Sequence, residues 1–390
     1  MKSAASVDVA IVGGGLVGAS LALALSKTSH SVALIESAPP PKGEGSWDER
    51  CIALNAASKK IFEAIGAWHD LEAHAEPILW THISERGRFG VARFTAAEAG
   101  LPALGYNIPV RALAQVLWRE VGATRAKVFA PASVEQIDDG RLRLSNAQTL
   151  AAKLIVAADG AQSAVRKMLN LSARTSDYGQ SAIVTAVRTS RPHRGCAYER
   201  FTPDGPIALL PKPQGCSLVW TVSSSRVDEM LAWSDAEFLR AAHETFGERL
   251  GKFTALGKRA AFPLAQVLSD ELTASRVIFA GNAAQSLHPV AAQGFNLGLR
   301  DVAAIAEVVA DADDPGAPEV LARYAQSRAR DRSRVSDFTD QLVRLFSNRI
   351  PGLASLRHLG LLALDLVAPV KDAVMIQNLG LAALPASMHE

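Results

Sequence analysis

Residues 281–301 read Gly-Asn-Ala-Ala-Gln-Ser-Leu-His-Pro-Val-Ala-Ala-Gln-Gly-Phe-Asn-Leu-Gly-Leu-Arg-Asp. This run follows an apolar segment, residues 276–280, and it places His288 and Pro289 in a turn before a helix that opens near Gly294. Backbone N–H groups at the start of a helix can bind an anion or the electron-rich edge of a ring. The stretch therefore predicts a strand, a turn, and a helix whose N-terminus faces a ligand.

The N-terminus predicts a strand–helix–strand unit for a dinucleotide. Its parts are an apolar run, an Ala- and Leu-rich helix, a second apolar run and an acid: residues 7–12, 16–25 and 32–35, and Glu36. The spacing Gly-x-Gly-x-x-Gly joins the first two parts through Gly13, Gly15 and Gly18. Such glycines allow a tight turn, let the backbone approach a pyrophosphate and let helix and strand pack closely. Glu36 stands where an acid can accept a ribose hydroxyl, but the pattern does not separate FAD from NAD.

A third segment combines a strand with polar residues. The apolar run 154–158 is followed by Asp159, Gly160, Ser163 and Arg166, in the pattern Ala-Asp-Gly-x-x-Ser-x-x-Arg. Taken alone, it is equally well explained as an ordinary strand-to-turn signal with a surface arginine.

Together and in this order, the three segments resemble the motifs of para-hydroxybenzoate-hydroxylase-like flavoprotein monooxygenases. Residues 48–54 (Asp-Glu-Arg-Cys-Ile-Ala-Leu) and residues 197–211 resemble, within them, the FAD-dependent hydroxylases of ubiquinone biosynthesis. The turn reads Gly-Asn-Ala-Ala-Gln at residues 281–285, where the family usually has Gly-Asp-Ala-Ala-His. This form is similar to the branch that hydroxylates 2-polyprenyl-6-methoxyphenol. Ala292 is a second departure, because the group more often has Gly there.

The resemblance implies an FAD site, with NADPH or NADH as the reductant. The implied cofactor-binding residues are Gly13, Gly15, Gly18, Glu36, Arg50, Arg111, Asp159, Asn282, Gly294, Phe295 and Asn296. The implied residues at the reacting ring are His288, Pro289 and Gly294. Two of these have a structural alternative, since Arg111 is also explained as a surface helix charge and His288 as a buried structural histidine.

The composition limits the class of protein. The chain has 390 residues, 48% of them hydrophobic and 21% charged, with a net charge of +2, which suits a folded protein of about two domains. This balance gives no reason to expect a nucleic-acid partner. Cys51, Cys196 and Cys216 are too scattered for a disulfide framework, and no His/Cys cluster predicts a metal site. No signal peptide or membrane span is predicted.

The predicted fold class is α/β: a Rossmann-type FAD-binding domain with an inserted antiparallel-sheet substrate domain and C-terminal helices. The FAD-binding domain is expected from residues 1–75, 105–175 and 266–345, the substrate domain from residues 76–104 and 176–265, and a helical tail from residues 346–390. The strand-like runs of the insert carry apolar residues that suit an aromatic ring: Ile207, Leu209, Leu218, Val219 and Trp220.

The resemblance implies O2-dependent hydroxylation of a polyprenylated phenol through a flavin C4a-hydroperoxide. Three alternatives stay open at this point: a hydroxylase of another ubiquinone-pathway or aromatic intermediate, a flavin-dependent isoprenoid reductase, and a non-enzymatic scaffold, which intact glycines disfavour. The Trp-x-Trp-x-Ile-Pro motif of flavin halogenases does not occur.

The expected location is the cytoplasm, peripheral to the inner membrane, with a ubiquinone-biosynthesis protein complex as a partner and an undetermined oligomeric state. Leucines and valines at near-helical spacing in the tail predict either core packing or a surface for membrane or partners. They are Leu356, Leu359, Leu362, Leu366 and Val370.

Overall fold

The computed structural model describes residues 5–41, 50–346 and 353–385. The helices are α1 (Leu16–Leu25), α2 (Ala56–Ile65), α3 (Trp68–Leu71), α4 (Val110–Gly122), α5 (Ala164–Met168), α6 (Val227–Ala232), α7 (Asp235–Phe246), α8 (Gln293–Val309), α9 (Pro318–Phe346), α10 (Leu353–Leu366) and α11 (Ala368–Leu379).

The strands of the first half are β1 (Ala5–Val12), β2 (Val32–Ile35), β3 (Cys51–Asn55), β4 (Glu76–Ile78), β5 (Trp80–Glu85), β6 (Val91–Thr95), β7 (Gly105–Pro109), β8 (Lys127–Phe129), β9 (Val134–Asp138), β10 (Arg141–Leu144) and β11 (Thr149–Ala157). Those of the second half are β12 (Ala173–Thr189), β13 (Cys196–Phe201), β14 (Ile207–Lys212), β15 (Gly215–Ser223), β16 (Phe253–Leu256), β17 (Ala260–Ser269), β18 (Thr273–Ala274), β19 (Val277–Phe279) and β20 (Gln285–Ser286).

A mainly parallel sheet brings the three sequence motifs to one edge. Its order is β18-β19-β11-β1-β2-β8, in which β19, β11, β1, β2 and β8 run parallel. Parallel strands share their carboxyl ends, where ligands bind in open α/β sheets. The loops that begin at Gly13, Asp159 and Gly281 follow β1, β11 and β19, so they meet at that edge. The predicted dinucleotide unit is confirmed as β1, α1 and β2.

A second, mostly antiparallel sheet forms the other layer. Its order is β20-β17-β12-β15-β14-β13-β5-β6, with β16 also paired to β12. β5 and β6 come from the segment 76–104 and join the later strands through a parallel pairing of β5 with β13. A third, small sheet has the order β3-β7-β4. The fold class predicted from the sequence is confirmed, and the domain boundaries stay a prediction.

Helices α6 and α7 cover one face of the antiparallel sheet. The buried side chains of this layer include Phe238 and Phe246 of α7, which pack on Leu218 and Trp220 of β15. The ring of Trp220 meets Phe238 edge-on at 5.6 Å between centroids. Aromatic pairs of this kind add about 0.5–1.5 kcal/mol to the free energy of unfolding beyond the area that they bury.

The tail packs against the end of the antiparallel sheet. Phe346, the last residue of α9, stacks on Phe201 of β13 with 3.7 Å between ring centroids. Leu361 of α10 and Met375 and Leu379 of α11 are buried in the same apolar cluster. No helix within the described ranges is both long enough and apolar enough to cross a membrane.

Candidate active site

The three glycines of the Gly-x-Gly-x-x-Gly spacing, in the loop between β1 and the start of α1, have different structural roles. Gly13 has a φ of +103°, and a Cβ there would overlap the carbonyl of Ala158. A Cβ on Gly18 would overlap the carbonyl of Gly13, so Gly18 lets α1 pack close to β1. Gly15 lines an open cavity, and a Cβ there would meet no heavy atom within 4 Å. α1 has no side-chain cap, so the N–H groups of its first turn are available to an anion.

Glu36 lies at the end of β2 and holds this loop in place. One carboxylate oxygen accepts the N–H of Gly14 at 2.6 Å, and the other accepts the N–H of Ala38 at 2.8 Å. Trp118 of α4 donates its indole N–H to the carbonyl of Gly14 at 2.9 Å. Each carboxylate oxygen has two lone pairs, so Glu36 can still accept a further hydroxyl.

The turn after β19 leads to a second uncapped helix N-terminus. Gly281 has a φ of +57°, and a Cβ there would come within 2.8 Å of the Val17 side chain, so this glycine brings the turn against α1. Asn282 is exposed and lines the cavity. α8 has no side-chain cap, and Gly294 in its first turn lines the cavity with no heavy atom within 4 Å of a Cβ position.

The backbone conformation at Ala292 explains why the family more often has glycine at this position. It precedes α8 with a φ of +50° and a ψ of +36°, which is the left-handed region. An L side chain in that region costs roughly 1–2 kcal/mol. The chain nevertheless forms the turn, and α8 begins at the next residue.

The side chain of Asn296 has a structural task inside the protein. Its oxygen accepts the N–H of Asn55 at 2.9 Å and the hydroxyl of Ser58 at 2.6 Å. Its NH2 group donates to the carbonyls of Ala53 and Ala292. All four hydrogen bonds of this amide are therefore made within the chain, and they fix β3 and α2 to α8.

Asp159 and Arg166 connect the segment after β11 with the turn after β19. One oxygen of Asp159 accepts the N–H of Val165 at 3.1 Å, while the other is buried and has no partner in the described part of the chain. Arg166 is buried and donates to the carbonyls of Ala283 and Ala161. The alternative of a surface arginine at this position is therefore wrong.

Arg50 and Arg111 are brought near each other by the pairing of β3 with β7. Cys51 lies opposite Pro109, and the N–H of Val110 donates to the carbonyl of Arg50 at 2.9 Å. Arg50 lines the cavity, and its guanidinium lies 4.8 Å from the ring centroid of Phe262. Arg111 is exposed, and its own side chain does not line the cavity. Asp48 and Glu49, which precede Arg50 in the motif, lie outside the described residues.

His288 and Pro289 are adjacent but differently placed. Pro289 lines the cavity, whereas His288 is 1% exposed and is not among the residues that line it. Nδ1 of His288 accepts the N–H of Val290 at 3.1 Å, which leaves the proton on Nε2. Burial lowers the pKa of His288 to about 4, so the ring is neutral near pH 7.

The two helix N-termini open on one cavity of about 740 Å³, a volume typical of cofactor and ligand sites. On this side it is lined by Gly15, Arg50, Asn282, Gly294, Phe295 and Asn296. The antiparallel sheet and α11 form the opposite wall, which is mainly apolar. Its side chains include Ile83, Phe94, Leu210, Val219, Met375 and Leu379.

The sheet residues that form this wall differ from those that the sequence predicted. Four of the five predicted ring-contact residues lie on the other face, where they pack against α6 and α7: Ile207, Leu209, Leu218 and Trp220. Only Val219 of the five lines the cavity, together with Ala208, Leu210 and Thr221 from the alternate positions. Successive side chains of a strand point to opposite faces. Because this sheet is buried on both faces, the apolar pattern could not identify the one that faces the ligand.

Comparison with known proteins gives the family. The sequence matches the FAD binding domain family over residues 6–339. The ubiquinone hydroxylase UbiL of Rhodospirillum rubrum is 39% identical over 384 residues, covering 96% of this chain and 89% of the relative. The 3-demethoxyubiquinol 3-hydroxylase of Escherichia coli K12 is 33% identical, covering 96% of this chain and 98% of the relative.

The chain belongs to the FAD-dependent hydroxylases of ubiquinone biosynthesis. This hydroxylase also has the fold of p-nitrophenol 4-monooxygenase from Pseudomonas putida DLL-E4. The two structures superpose with a TM-score of 0.78 at 19% identity, over 96% of this chain and 98% of the other.

The site fits FAD on the geometry of the hydroxylase itself. Two uncapped helix starts face one cavity, and at Gly15 and Gly294 there is open space where a side chain would stand. Free N–H groups at helix starts suit a pyrophosphate and the electron-rich edge of a flavin ring. Several of the site residues that the sequence predicted do not line the cavity but lie close to residues that do. They are Gly13, Gly18, Glu36, Asp159 and His288.

Asp301 is a supporting residue to which the sequence analysis assigned no role. One of its oxygens accepts two hydrogen bonds, from the N–H of Gly281 at 3.0 Å and from Nε2 of Gln285 at 2.7 Å. The other pairs with Nε of Arg328 on α9 at 2.7 Å, and both side chains are almost fully buried. The sequence offered one signal for this role: Asp301 is an acid in the predicted helix that opens near Gly294, about one and a half turns after Asn296.

Proposed function

We propose that the glycine loop and the turn after β19 hold FAD from its two ends. The first-turn N–H groups after Gly15 would bind the pyrophosphate, with Glu36 on the ribose of the adenosine half. Asn282 would donate to or accept from the ribityl chain. The N–H groups of Gly294 and Phe295 would meet the pyrimidine edge of the flavin. The open space at Gly15 and Gly294 supports this arrangement.

We further propose that Arg50 and Arg111 supply positive charge at the flavin side of the cavity. Arg50 lines the cavity, and Arg111 stands one residue after Val110, which also lines it. A guanidinium keeps its charge at any physiological pH and donates in a planar fork that suits a phosphate. For Asn296, the backbone N–H is the group that remains for a cofactor.

We propose that the hydroxylase acts on a polyprenylated phenol, 2-polyprenyl-6-methoxyphenol, with NADPH or NADH and O2. When bound between these helix starts, FAD would supply the redox chemistry, with NAD(P)H as the source of electrons and O2 as the source of one oxygen atom for the ring and one for water. The main support for this proposal is that the two uncapped helix starts and a mainly apolar wall line the same cavity. The wall excludes water from the ring and accommodates a hydrocarbon chain.

The placement of cations supports a substrate without a carboxylate. Arg188, Arg191 and Arg194, at the ends of the antiparallel strands, are exposed, and Arg200 is half-buried away from the cavity. Among the described residues that line the cavity, Arg50 is the only cation; its guanidinium lies over Phe262 of β17, and we assign its charge to the flavin. A benzoate ring would need a buried partner on the sheet side, because an unpaired buried charge is costly.

A second substrate is suggested by the name of the relative from E. coli, a 3-demethoxyubiquinol 3-hydroxylase. The test supplies the FAD-loaded protein with NADPH or NADH, air, and either a short-chain 2-prenyl-6-methoxyphenol or a short-chain demethoxyubiquinol. We expect a product with one added oxygen atom, with the higher kcat/KM for the phenol. If only the demethoxyubiquinol gives a product, the substrate is a demethoxyubiquinol and not the methoxyphenol.

A flavin-dependent isoprenoid reductase remains the alternative from another class of reaction, and O2 distinguishes the two. A hydroxylase needs O2 for every turnover, whereas a reductase turns over without it. We expect hydroxylated product in air and none under nitrogen, with slow release of hydrogen peroxide when NAD(P)H is oxidised without substrate.

A further inference from the structure

Glu199 stands in the middle of the apolar wall that faces the flavin side of the cavity. It is half-buried on β13 and lines the cavity. Its cross-strand partners are Ile83 on β5 and Ala208 on β14, and Ala208 in turn pairs with Val219 on β15. All four side chains line the cavity, so one carboxylate interrupts an otherwise apolar row.

The surrounding residues make this acid unusual. Of the described residues that line the cavity, Glu199 is the one acid and Arg50 is the one cation, and the Arg50 guanidinium lies over Phe262 of β17. A carboxylate in an apolar wall loses hydration free energy, which hydrogen-bond donors must offset. A carboxylate has about four lone-pair sites, so it can accept a donor from a ligand beside the contacts that it makes within the chain.

The position of Glu199 relative to the apolar side chains defines a direction for the ligand. Phe94 on the edge strand β6 and Met375 and Leu379 on α11 lie at one end of the wall. Glu199 lies two strands further into the sheet. A ring whose hydroxyl group faces Glu199 can therefore direct a hydrocarbon substituent towards β6 and α11.

We propose that Glu199 recognises the free phenolic hydroxyl of the substrate and accepts its proton during the reaction. This inference rests on the proposed function and adds to it a requirement for a ring O–H group. Hydrogen bonds to a charged acceptor are shorter and stronger than neutral ones, and they fix the orientation of the ring. A phenol whose O–H is held by a carboxylate also has a more electron-rich ring, which favours attack by an electrophilic oxygen.

The proposed step conserves the proton and the electrons. As the O–O bond of reduced O2 breaks and its outer OH group bonds to a ring carbon, the phenolic O–H bond breaks, its electron pair enters the ring and its proton passes to Glu199. The ring is then a dienone with one tetrahedral carbon. Loss of the C–H proton from that carbon to water restores the aromatic ring, and Glu199 returns its proton to the ring oxygen. NAD(P)H supplies the two electrons that reduce the second oxygen atom to water.

The experiment compares 2-methoxy-6-(3-methylbut-2-enyl)phenol with its methyl ether, which has no O–H to donate. Binding of both is measured by titration calorimetry on the FAD-loaded wild type and on Glu199→Gln and Glu199→Asp. Glu244→Gln serves as the control, because Glu244 is an exposed acid on α7, beyond the covered face of the sheet. Absorbance of bound FAD checks that each variant is folded.

We expect the wild type to prefer the phenol over the ether by roughly tenfold to a hundredfold, as for a hydrogen bond to a charged group. Glu199→Gln should lose most of this preference and lower kcat more than it changes KM for the phenol. Glu199→Asp should keep part of the preference, and Glu244→Gln should match the wild type.

Two results would overturn the inference. One is a wild type that binds phenol and ether equally, which needs no variant. The other is a Glu199→Gln protein that holds FAD and keeps both the preference and kcat. A wild type that prefers the phenol but forms no hydroxylated product would instead contradict the proposed function, so the two failures are distinguishable.

Discussion

Gly15 is the residue at which the first helix meets the cavity. Gly13 and Gly18, the other two glycines of the Gly-x-Gly-x-x-Gly spacing, are required by packing within the protein, because a Cβ at either would overlap a backbone carbonyl. At Gly15 the space is open and forms part of the cavity. The residue therefore separates a defect in cofactor binding from a defect in folding.

We expect Gly15→Val to lose FAD, because its side chain would occupy the space proposed for the pyrophosphate. The flavin absorbance of the purified protein, relative to its protein absorbance, measures occupancy. Gly122→Val is the matched control, since Gly122 also has no heavy atom near a Cβ position but lies outside the cavity lining. A Gly15→Val protein with wild-type flavin content would remove the loop from the cofactor site.

His288 is expected to make stability depend on pH. In the unfolded chain a histidine binds a proton below a pH of about 6.5. In the folded protein burial lowers the pKa of His288 to about 4. The unfolded state therefore binds more protons between these values, and the free energy of unfolding falls as the pH decreases from about 6.5 to about 4. His82, whose pKa is also lowered to about 4 by burial and by nearby Arg249, acts in the same direction.

His288→Gln should reduce the loss in the free energy of unfolding as the pH decreases, because glutamine can still accept a hydrogen bond from the N–H of Val290 but does not titrate. Urea unfolding at pH 7 and pH 5 measures the change. We expect the wild type to lose more stability than the variant between the two values, while His69→Gln, at an exposed position, should behave as the wild type. An equal loss in all three proteins would contradict the effect assigned to burial.

At the scale of elements, the contact of α8 with α9 holds the turn after β19. Asp301 is bonded to the turn at Gly281 and Gln285, and it is paired with Arg328 of α9. Arg300 and Asp331 extend the ion-pair network between the two helices. Removing one partner of such a pair leaves a buried charge uncompensated, which typically costs about 3–5 kcal/mol.

We expect Asp301→Asn to lower the free energy of unfolding by about 3 kcal/mol or more and to weaken FAD binding through the displaced turn. Urea unfolding with and without added FAD measures both effects. Asp337→Asn is the control, because Asp337 is exposed on α9. Stability within about 0.5 kcal/mol of the wild type would show that the network does not hold the turn.

The elements with local signals were predictable from the sequence. The bounds of α1 and β2 agree with the helix predicted over residues 16–25 and the strand predicted over residues 32–35, because the glycine spacing and the apolar pattern lie within the segments themselves. Where a proline interrupts an apolar segment, the local pattern is not sufficient: β8 and β9 are separate strands on either side of Pro131, which has no N–H to donate to a sheet.

The rest of the site depends on residues that are distant in the sequence. The side chain of Asn296 is satisfied by Asn55, which is 241 residues away. The face of the antiparallel sheet that meets the ligand depends on where α6 and α7 pack. Neither fact has a local sequence signal, which explains why Ile207, Leu209, Leu218 and Trp220 were assigned to the wrong face.

At the scale of the whole molecule, the tail closes the cavity and also presents apolar groups outwards. Met375 and Leu379 of α11 line the cavity, and the side-chain amide of Asn55 donates to the carbonyl of Asn378 at 3.0 Å. Leu366 is 78% exposed and Ile376 is 52% exposed. Leu362 is half-buried, and the side chains of Leu356 and Leu359 lie outside the described residues. The tail thus combines core packing with an outward apolar surface.

We expect this surface to bind lipid, since a polyprenylated substrate resides in a bilayer. Replacing Leu366, Val370 and Ile376 together by serine should weaken sedimentation with phosphatidylethanolamine–phosphatidylglycerol vesicles roughly tenfold or more, because burying one such side chain is worth about 1.5–3 kcal/mol. Val128→Ser is the control, since Val128 is 41% exposed but lies on β8, the edge strand of the mainly parallel sheet. Equal vesicle binding by the wild type, the triple variant and the control would show that the tail does not contact the membrane.

The source of the new hydroxyl oxygen tests the central claim, that this cavity hydroxylates a phenol with O2. The FAD-loaded protein is given NAD(P)H, short-chain 2-prenyl-6-methoxyphenol and ¹⁸O-labelled O2, and the product is examined by mass spectrometry. The account predicts one labelled oxygen atom in the new ring hydroxyl and no turnover under nitrogen. A product without label, or turnover that continues without O2, would contradict it.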